Sequence, residues 1–373
     1  MTDIIGIDAS RAVRVQRSGT ENYSVQIIEA LRKVAPNAHL RLYYPATGVP
    51  ACLPPTDDRT EHVIIPGERL WTHLHLASEL HRQPPDVLFV PAHVIPIKHP
   101  RSVVTIHDLG YLHYPGDHPV RQRAMLSLTT RWNVHHARQI IVPSQFTADD
   151  LKRRFPGTSH KITVVLHGAS SHFRPAASGS ITRIKSSIGI QGDYVVAVGT
   201  IQPRKDYPTL ARAVARHNVT HSSDPLFLVI VGRPGWMFKQ VMSELEPLRQ
   251  RARLRILTDA SDHDLVSLYS GATALVQPSR FEGFGMPVLE AMACGAPVIC
   301  ANNSSLPEVV GEAGLLFPTG DVAALATLLG TIRTDRELQA SLSAMGARRA
   351  SQSCWETAAE KTLGAIELAM EIY

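Results

Sequence analysis

Two glutamates, Glu282 and Glu290, are the residues whose type and spacing best suit a binding or catalytic role. The apolar run at 272–279 predicts a buried strand before them, so Glu282 is expected in a loop at the carboxyl end of that strand. Pro287 suits the first position of a helix and Gly295 its end, which places Glu290 one turn into that helix. A helix start suits a phosphate, and carboxylates beside it would suit sugar and ribose hydroxyls. The alternative is a surface acid and an acid that complements the helix dipole.

Two adjacent cations, Arg204 and Lys205, follow a second predicted strand at 194–199. A loop with two positive side chains at the carboxyl end of a strand, before a helix, suits a diphosphate. The alternative interpretation of the pair is a solvated turn.

The chain has 373 residues, which is enough for two α/β domains. Its net charge of +5 fits an anionic substrate, an anionic membrane surface, or solubility alone. No apolar run reaches the length of a membrane span, and no secretory signal is visible in the first residues. The four cysteines have no C-x-x-C spacing and are interpreted as reduced thiols of a cytoplasmic protein, without a metal cluster.

Strands and helices alternate along the chain, which predicts an α/β fold with mostly parallel sheets covered on both faces. In the first half, strands are predicted at 4–8, 40–44, 63–66, 87–90, 103–107, 140–142 and 162–166, with helices at 70–81 and 120–138 among those between them. Residues 169–193 are rich in Ser, Gly and Ala and predict a linker with one short helix. In the second half, strands are predicted at 194–199, 226–231, 254–257, 272–276, 297–300 and 315–317, and a last helix at 355–373.

The string at 282–290 resembles the E-x7-E signature of retaining glycosyltransferase family 4, whose members have a GT-B type fold of two facing Rossmann-like domains with an inter-domain cleft. The string at 199–206 strongly resembles another pattern of that family, in which a lysine at the position of Lys205 grips the nucleotide diphosphate. Many members carry an arginine directly after the glycine, where this chain has Thr200. Arg204 would then supply the second charge from a different point. The resemblance extends over nearly the full chain.

The resemblance implies a division of labour between the two halves. Residues 1–170 would form an acceptor-binding domain, and the last helix, 354–373, would pack back on it. Residues 171–353 would bind a nucleotide-diphosphate sugar. Because ligands of doubly wound sheets sit at the carboxyl ends of the strands, the predicted loops there are where the contacts are expected.

The resemblance also assigns roles to single residues. Lys205 and Arg204 would stabilise the leaving diphosphate, Glu282 would hold hydroxyls of the donor sugar, and Glu290 would hold those of the ribose. His107, at the end of a predicted strand, resembles the family's contact with the donor sugar and completes the catalytic set. The remaining donor-binding positions are Gly19, Thr20, Gly199, Thr200, Arg233, Gly283, Phe284, Gly285, Met286, Pro287 and Leu289.

Several matching positions have a structural alternative. His107 would be a structural histidine at a strand end, and Arg233 would be a surface arginine. Asp108 would either orient His107 or cap the segment after it. Ser144 would be either a helix cap or a contact with the acceptor. The loop at 17–22, where Thr20 could cap the first helix, would approach the diphosphate or form a plain turn.

The tripeptide Asp262-His263-Asp264 matches the D-x-D pattern of metal-dependent glycosyltransferases. It also opens an apolar-periodic helix, and acids in a first turn are satisfied by the helix end alone. The tripeptide is therefore interpreted as a capping turn, and no metal is expected.

The partners implied by the resemblance are a nucleotide-diphosphate sugar, with GDP-mannose favoured over a UDP-sugar, and a glycan or lipid-linked acceptor of polysaccharide biosynthesis. No cofactor and no nucleic acid are expected. The basic helix at 120–138 is either a packed helix with solvated arginines or a peripheral contact with the inner face of a membrane.

Two other functions share this architecture: a nucleotide-sugar 2-epimerase and a non-catalytic nucleotide-sugar-binding protein. An epimerase would interconvert the donor in the absence of acceptor, so product analysis separates it from a transferase. The intact set of Glu282, Glu290 and Lys205 argues against a protein that only binds.

Overall fold

The computed structural model describes residues 3–14, 19–45, 52–67, 69–92 and 94–371, and the chain divides into two compact units. The first unit comprises Met1–His113, Val120–Gly168 and Cys354–Tyr373, and the second comprises Tyr114–Pro119 and Ala169–Ser353. The final segment thus belongs to the first unit. Tyr114–Pro119 belongs to the second unit, although its position in the sequence lies within the first predicted domain.

The first unit is built on a seven-stranded parallel sheet with the order β3-β2-β1-β4-β5-β6-β7. Ligands of such sheets bind where the order reverses, which lies here between β1 and β4. The strands are β1 Ile4–Asp8, β2 His39–Pro45, β3 Thr60–Ile65, β4 Val87–Val90, β5 Ser102–Thr105, β6 Gln139–Val142 and β7 Ile162–Val164. The helices among them are α1 Gly19–Val34, α2 Ala77–Arg82, α3 Gly110–His113, α4 Val120–His136 and α5 Gln145–Arg154.

The second unit repeats this plan with a six-stranded parallel sheet of order β10-β9-β8-β11-β12-β13. Its order reverses between β8 and β11, so the loops after these two strands flank the expected ligand position. The strands are β8 Tyr194–Val198, β9 Phe227–Val231, β10 Leu254–Leu257, β11 Ala274–Gln277, β12 Val298–Ala301 and β13 Leu315–Phe317. The helices are α6 Ser178–Ser187, α7 Tyr207–Thr220, α8 Phe238–Leu245, α9 Asp262–Ser270, α10 Met286–Ala293, α11 Leu306–Val310, α12 Val322–Thr334 and α13 Arg336–Ser351.

Most of the inner strands of both sheets are buried along their whole length, as their continuous apolar runs predict. Every residue of β4, β5, β6, β9, β11 and β12 is buried. Because successive side chains of a strand point to opposite faces, both faces of each sheet must be covered. The two sheets are therefore rigid supports for the loops at their carboxyl ends.

The last helix, α14 (Trp355–Glu371), packs along α1 within the first unit. Gly168 makes this approach tight, because a Cβ there would lie 2.4 Å from the backbone nitrogen of Trp355. Any larger residue at this position would displace the start of α14. The predicted helix extends to residue 373, and residues 372 and 373 lie outside the described part of the chain.

Two predicted helices have different bounds in the structure. The helix predicted from residue 70 begins with a π-helical turn at Thr72–Leu76 that continues into α2. Leu70 has a φ of +53°, in the left-handed region, so a right-handed helix cannot include it. The helix predicted at 120–138 ends as α4 at His136.

Candidate active site

The loop after β8 turns back on itself at the carboxyl edge of the second sheet. Gly199 has a φ of +144°, and a Cβ at this position would lie 3.0 Å from Cε of Lys205. The Tyr207 hydroxyl donates to the Gly199 carbonyl oxygen over 2.7 Å, and this hydrogen bond holds the turn in place. A short 3₁₀ turn at Pro203–Lys205 then ends at Asp206, whose φ is +49°. This path carries the Lys205 side chain toward the loop after β11.

A buried ion pair joins the two loops. Lys205 Nζ donates to Oε1 of Glu282 over 2.5 Å, and these residues are only 8% and 6% exposed. The same carboxylate oxygen accepts from Gln277 Nε2 at 2.8 Å and from Ser279 Oγ at 2.6 Å. Arg204 Nη1 donates to the Phe281 carbonyl at 2.7 Å and lies 3.5 Å from the other carboxylate oxygen. One carboxylate thus receives hydrogen bonds from two cationic and two neutral side chains.

This environment sets the charge of Glu282. Burial alone would raise the pKa of its carboxyl, but the charges of Lys205 and Arg204 and the hydrogen bonds from Lys205 and Ser279 outweigh burial. Together they lower the pKa of Glu282 to about 2. Glu282 is therefore ionised at neutral pH, where it can accept hydrogen bonds and cannot donate a proton.

Serines of a third loop hold the backbone around Glu282. The Glu282 N–H donates to Ser304 Oγ over 2.9 Å, and the Ser305 hydroxyl lies 2.9 Å from the carbonyl oxygens of both Glu282 and Phe284. Gly283 and Phe284 are buried within the same turn. The loop after β11 is thus held by serines of the loop after β12 as well as by residues at the end of β11.

Helix α10 begins directly after this loop. Gly285 precedes it with a φ of +105°, Met286 is its first residue and Pro287 its second, one position later than predicted. Pro287 is tolerated there because the first N–H groups of a helix have no partner within it. Gly295, with a φ of +78°, follows the end of α10, which confirms the predicted stop.

Glu290 lies in the second turn of α10, directly after Leu289, and both residues are buried. Tyr269, at the end of α9, donates from its hydroxyl to Glu290 Oε2 over 2.9 Å. Burial raises the pKa of Glu290 to about 7; the charge of Asp262 acts in the same direction and the bond from Tyr269 against it. The two glutamates of the pair therefore have opposite shifts, which follow from their different partners.

The loop after β9 lies against the loop after β8. A Cβ on Gly232 would fall 1.9 Å from the Gly199 carbonyl oxygen, so the two backbones are in direct contact. Thr200 is half-buried, and a Cβ on Gly235 would lie 2.6 Å from its Cγ2. Arg233 is exposed, and its carbonyl oxygen accepts from the Ile201 N–H over 2.8 Å.

The segment Tyr114–Pro119 contributes two side chains to these loops of the second unit. Asp117 Oδ2 lies 3.6 Å from Arg280 Nη1, and the ring centroids of His118 and Trp236 are 4.9 Å apart. Nothing in the periodicity of the sequence predicts these contacts.

In the first unit, His107 follows β5 and is half-buried. Its Nε2 lies 2.9 Å from the Pro91 carbonyl oxygen, which can only accept, so this nitrogen donates. Burial lowers the pKa of His107, which favours the neutral ring with Nδ1 as an acceptor. The Tyr23 ring meets it edge-on, with centroids 4.9 Å apart.

The structure shows local contacts for three first-unit residues that have a structural alternative. Asp108 Oδ1 accepts from the Gly110 N–H over 2.8 Å, so Asp108 caps the short helix α3. Ser144 caps α5 by accepting from the Thr147 N–H over 3.1 Å. Thr20 is not a cap, because α1 already begins at Gly19. Arg17 and Ser18 of the same predicted loop lie outside the described residues.

The capping interpretation of Asp262-His263-Asp264 is confirmed for Asp264. Ser261 and Asp264 form a reciprocal capping box, with the Ser261 N–H donating to Asp264 Oδ2 over 3.0 Å. In the described ranges, no three His, Cys, Asp or Glu side chains are grouped so that they could hold a metal ion.

Two doubly wound parallel sheets, one of them with paired carboxylates and cations at its switch point, define a glycosyltransferase of the GT-B type. The chain matches the family model for Glycosyltransferase Family 4 over residues 17–172 and that for Glycosyl transferases group 1 over residues 181–349. It belongs to glycosyltransferase family 4.

Solved structures share this fold at low sequence identity. HepE of Anabaena, crystallised with UDP and glucose, matches with a TM-score of 0.75 and 17% identity, covering 98% of this chain and 100% of that one. Sucrose-phosphate synthase of Thermosynechococcus elongatus matches with a TM-score of 0.76 and 20% identity, covering 97% and 98%.

Relatives by sequence are glycosyltransferases as well. O-antigen chain mannosyltransferase B of Escherichia coli is 27% identical over 387 residues, covering 97% of this chain and 99% of that protein. D-inositol 3-phosphate glycosyltransferase of Streptomyces avermitilis is 31% identical over 251 residues, which is 64% of this chain and 53% of that protein.

Proposed function

We propose that this chain is a retaining mannosyltransferase that uses GDP-mannose and transfers to a glycan or lipid-linked acceptor. The observation that carries the proposal is the buried cluster of Lys205, Arg204 and Glu282 at the switch point of the second sheet, with Glu290 on the adjoining helix. The similarity to an O-antigen chain mannosyltransferase along nearly the whole chain favours mannose as the sugar and polysaccharide biosynthesis as the setting.

The cations would act on the leaving diphosphate. The Lys205 ammonium has three N–H donors and, among the described residues, uses one for Glu282, so the others are available to phosphate oxygens. Charge-assisted hydrogen bonds contribute about 1.5–3 kcal/mol each, against about 8–23 kcal/mol for a typical enzymic acceleration. Lys205, Arg204 and the start of α10 are therefore not sufficient alone, and orientation of the reactants must supply much of the remainder.

The two carboxylates would bind different parts of the donor. Glu282 is ionised and held through Oε1, so Oε2 is the oxygen suited to sugar hydroxyls. Glu290, further along α10, would accept hydrogen bonds from the ribose. Because Glu282 is already bound by four donor groups, it is a poor nucleophile. The leaving phosphate is the base best suited to take the proton of the attacking hydroxyl, which keeps the anomeric configuration.

The two units would have separate tasks. The second unit carries the donor-binding loops after β8, β9 and β11, while the first, with His107 at the carboxyl edge of its sheet, would bind the acceptor and the sugar. A divalent metal is not required for this chemistry, since two side-chain cations already serve the leaving group.

The outer face of α4 favours a peripheral contact with anionic lipid. Val120, Met125 and Leu128 are 70%, 52% and 67% exposed, and Arg121 and Arg131 are exposed beside them. Exposed apolar side chains flanked by arginines suit the interface of an anionic bilayer. Among the described residues, no helix is long and apolar enough to cross a membrane.

The lipid contact is tested by cosedimentation with phosphatidylglycerol and phosphatidylcholine vesicles. Binding to the anionic vesicles alone is expected, and Leu128→Glu should abolish it. Val219→Glu, at a similarly exposed apolar residue of α7, is the matched control and should bind as the unmodified protein does. Equal binding by both variants would contradict the contact.

The donor is tested by thermal unfolding with GDP-mannose, GDP, UDP-glucose, UDP-N-acetylglucosamine and UDP. A ligand that binds only the folded state raises the melting temperature, and GDP-mannose and GDP are expected to raise it most. If only the UDP compounds raise the melting temperature, the donor is a UDP-sugar and not GDP-mannose. The absence of any effect would contradict the function.

A further inference from the structure

Glu290 is held by one side chain from a different helix. The Tyr269 hydroxyl, on α9, donates to Glu290 Oε2 on α10 over 2.9 Å. Tyr269 is fully buried, and Glu290 is 8% exposed. From the described part of the chain, the Glu290 carboxylate receives no other side-chain or backbone hydrogen bond.

This single bond orients the carboxylate. A phenol hydroxyl donates one hydrogen bond, and it takes one of the lone pairs of Oε2. Within the described residues Oε1 has no hydrogen-bond donor, and it is not one of the fully buried side-chain atoms that lack a partner. The remaining acceptor capacity of the carboxylate is therefore available to a ligand with hydroxyl donors.

We propose that Tyr269 is the positioning residue for Glu290, and that this pair restricts the donor to ribonucleotide sugars and rejects 2′-deoxyribonucleotide sugars. The inference rests on the proposed function, in which Glu290 binds the ribose. A site built to pair with a hydroxyl rejects the analogue that lacks it, because its own buried polar group is left unpaired. Without the bond from Tyr269, the carboxylate could turn away and would lose that discrimination.

The alternative is that Tyr269 only ties α9 to α10. Tyr194 provides the comparison, because it is equally buried and its hydroxyl donates over 2.7 Å to the carbonyl oxygen of Leu268, also on α9. Tyr194→Phe removes a buried hydroxyl and its hydrogen bond in the same region, but not one to Glu290. It is the matched control for Tyr269→Phe.

The experiment measures calorimetric affinities of the folded full-length protein for ADP, GDP, CDP and UDP and for the 2′-deoxy form of each. For the nucleotide that binds best, the unmodified protein is expected to prefer the ribose form at least ~10-fold. In Tyr269→Phe this preference should fall to within roughly threefold, mainly through weaker binding of the ribose form. Tyr194→Phe should keep the preference of the unmodified protein.

A double variant shows whether Tyr269 acts through Glu290. Glu290→Gln should lose the preference by itself, and adding Tyr269→Phe should change it no further. Tyr269→Phe keeps the buried ring, so circular dichroism should show a folded protein. The comparison within the Glu290→Gln background is between ribose and 2′-deoxyribose affinities of the same folded protein, so the variants need not be equally stable.

The outcomes separate the inference from the function on which it rests. If Glu290→Gln loses the preference and Tyr269→Phe retains it, Tyr269 has no positioning role. If the unmodified protein binds both forms equally, the ribose restriction is wrong. If Glu290→Gln keeps the full preference, or if no nucleotide binds at all, the proposed role of Glu290 fails and the inference with it.

Discussion

Lys205 and Glu282 lie 77 positions apart in the chain, yet their side chains meet at 2.5 Å as a buried ion pair. Lys205 follows β8 and Glu282 follows β11, the two neighbouring strands between which the sheet order reverses. A buried charge that loses its partner is costly, so each member of this pair stabilises the other. The same contact keeps the lysine in place before any donor arrives.

The first prediction concerns Lys205→Ala. We expect kcat/KM to fall at least ~10-fold, since the cation would contact the leaving diphosphate, and the free energy of unfolding to fall by up to about 3–5 kcal/mol, since Glu282 would keep only Arg204, at 3.5 Å, as a charged partner. Steady-state kinetics and urea unfolding measure the two effects. Lys33→Ala, which removes exposed ion pairs with Glu29 and Glu356, is the control and should cost less than about 1 kcal/mol. Normal turnover and normal nucleotide affinity in Lys205→Ala would show that Lys205 is not part of the active site.

The second prediction separates the two carboxylates. Glu290→Gln should weaken binding of the free nucleoside diphosphate and of the sugar donor alike. Glu282→Gln should impair turnover of the donor while leaving the affinity for the free diphosphate nearly intact. Calorimetry with GDP and kinetics with GDP-mannose distinguish the two. The division of labour is wrong if both substitutions weaken free GDP equally.

The third prediction concerns stability against pH. Glu290 has a pKa of about 7 in the folded protein, above its usual value of 4.5, so between these pH values the folded state binds more protons than the unfolded state. Stability that depends on this group therefore decreases as pH rises from 4.5 to 7, by an amount on the order of 3 kcal/mol.

Urea unfolding of the unmodified protein and of Glu290→Gln at pH 5 and pH 8 measures this effect. Glu290→Gln should gain stability relative to the unmodified protein on going from pH 5 to pH 8. Tyr269 and Asp262, which influence this carboxyl, are present in both proteins and do not account for the difference. A difference that is the same at both pH values would mean that Glu290 is ionised throughout the range.

The fourth prediction is that activity survives dialysis against EDTA. Asp264 is engaged in the capping box of α9, and two side-chain cations would serve the leaving group. Transfer should proceed at the rate of the undialysed enzyme. If activity is lost on dialysis and returns with Mg²⁺ or Mn²⁺, Asp262-His263-Asp264 would be a metal ligand set.

The fifth prediction concerns stereochemistry. An inverting enzyme needs a general base on the face opposite the leaving group, whereas here the phosphate oxygen would take the proton on the face that it leaves. An α-configured donor should therefore give an α-linked product. The NMR coupling at the new anomeric centre reports the configuration, and a β-linkage would overturn the mechanism.

Much of the donor-side geometry could be predicted from sequence because it depends on local order. An apolar run with polar residues after it places Lys205 and Glu282 at strand ends, and parallel strands bring their carboxyl ends to one edge. The loop positions of both residues follow from this rule alone. The direct bond between them does not, since it depends on the 3₁₀ turn at Pro203–Lys205 and on the backbone of Asp206.

The partners of the two glutamates could not be predicted. Gln277 and Ser279 stand five and three residues before Glu282 at a strand end, which is a weak signal at best. Tyr269 occupies an apolar position of α9, so periodicity predicts that its ring is buried. It does not predict the hydrogen-bond partner of the hydroxyl. A buried tyrosine needs a partner for that hydroxyl, but which one is decided by how α9 packs on α10.

The sequence leaves open whether the apolar side of α4 is packed in the core or faces a lipid surface. Spacing groups Ala124, Leu128 and Trp132 on one side, which a packed helix would bury. In the structure Ala124 and Leu128 are exposed, whereas Trp132 is half-buried and donates to the Ile95 carbonyl. Spacing shows which residues share a face of a helix, but not whether another element covers that face.

The contact of Gly232 with the Gly199 carbonyl has a consequence for how donor preference can evolve. With 1.9 Å between that oxygen and any Cβ, position 232 is closed to variation unless the whole loop after β8 moves. The adjoining Arg233 is exposed, and within the described residues its side chain has no hydrogen bond or ion pair. A substitution at position 233 can therefore change the side chain of this loop without breaking a side-chain contact, while Gly232 keeps the two backbones together.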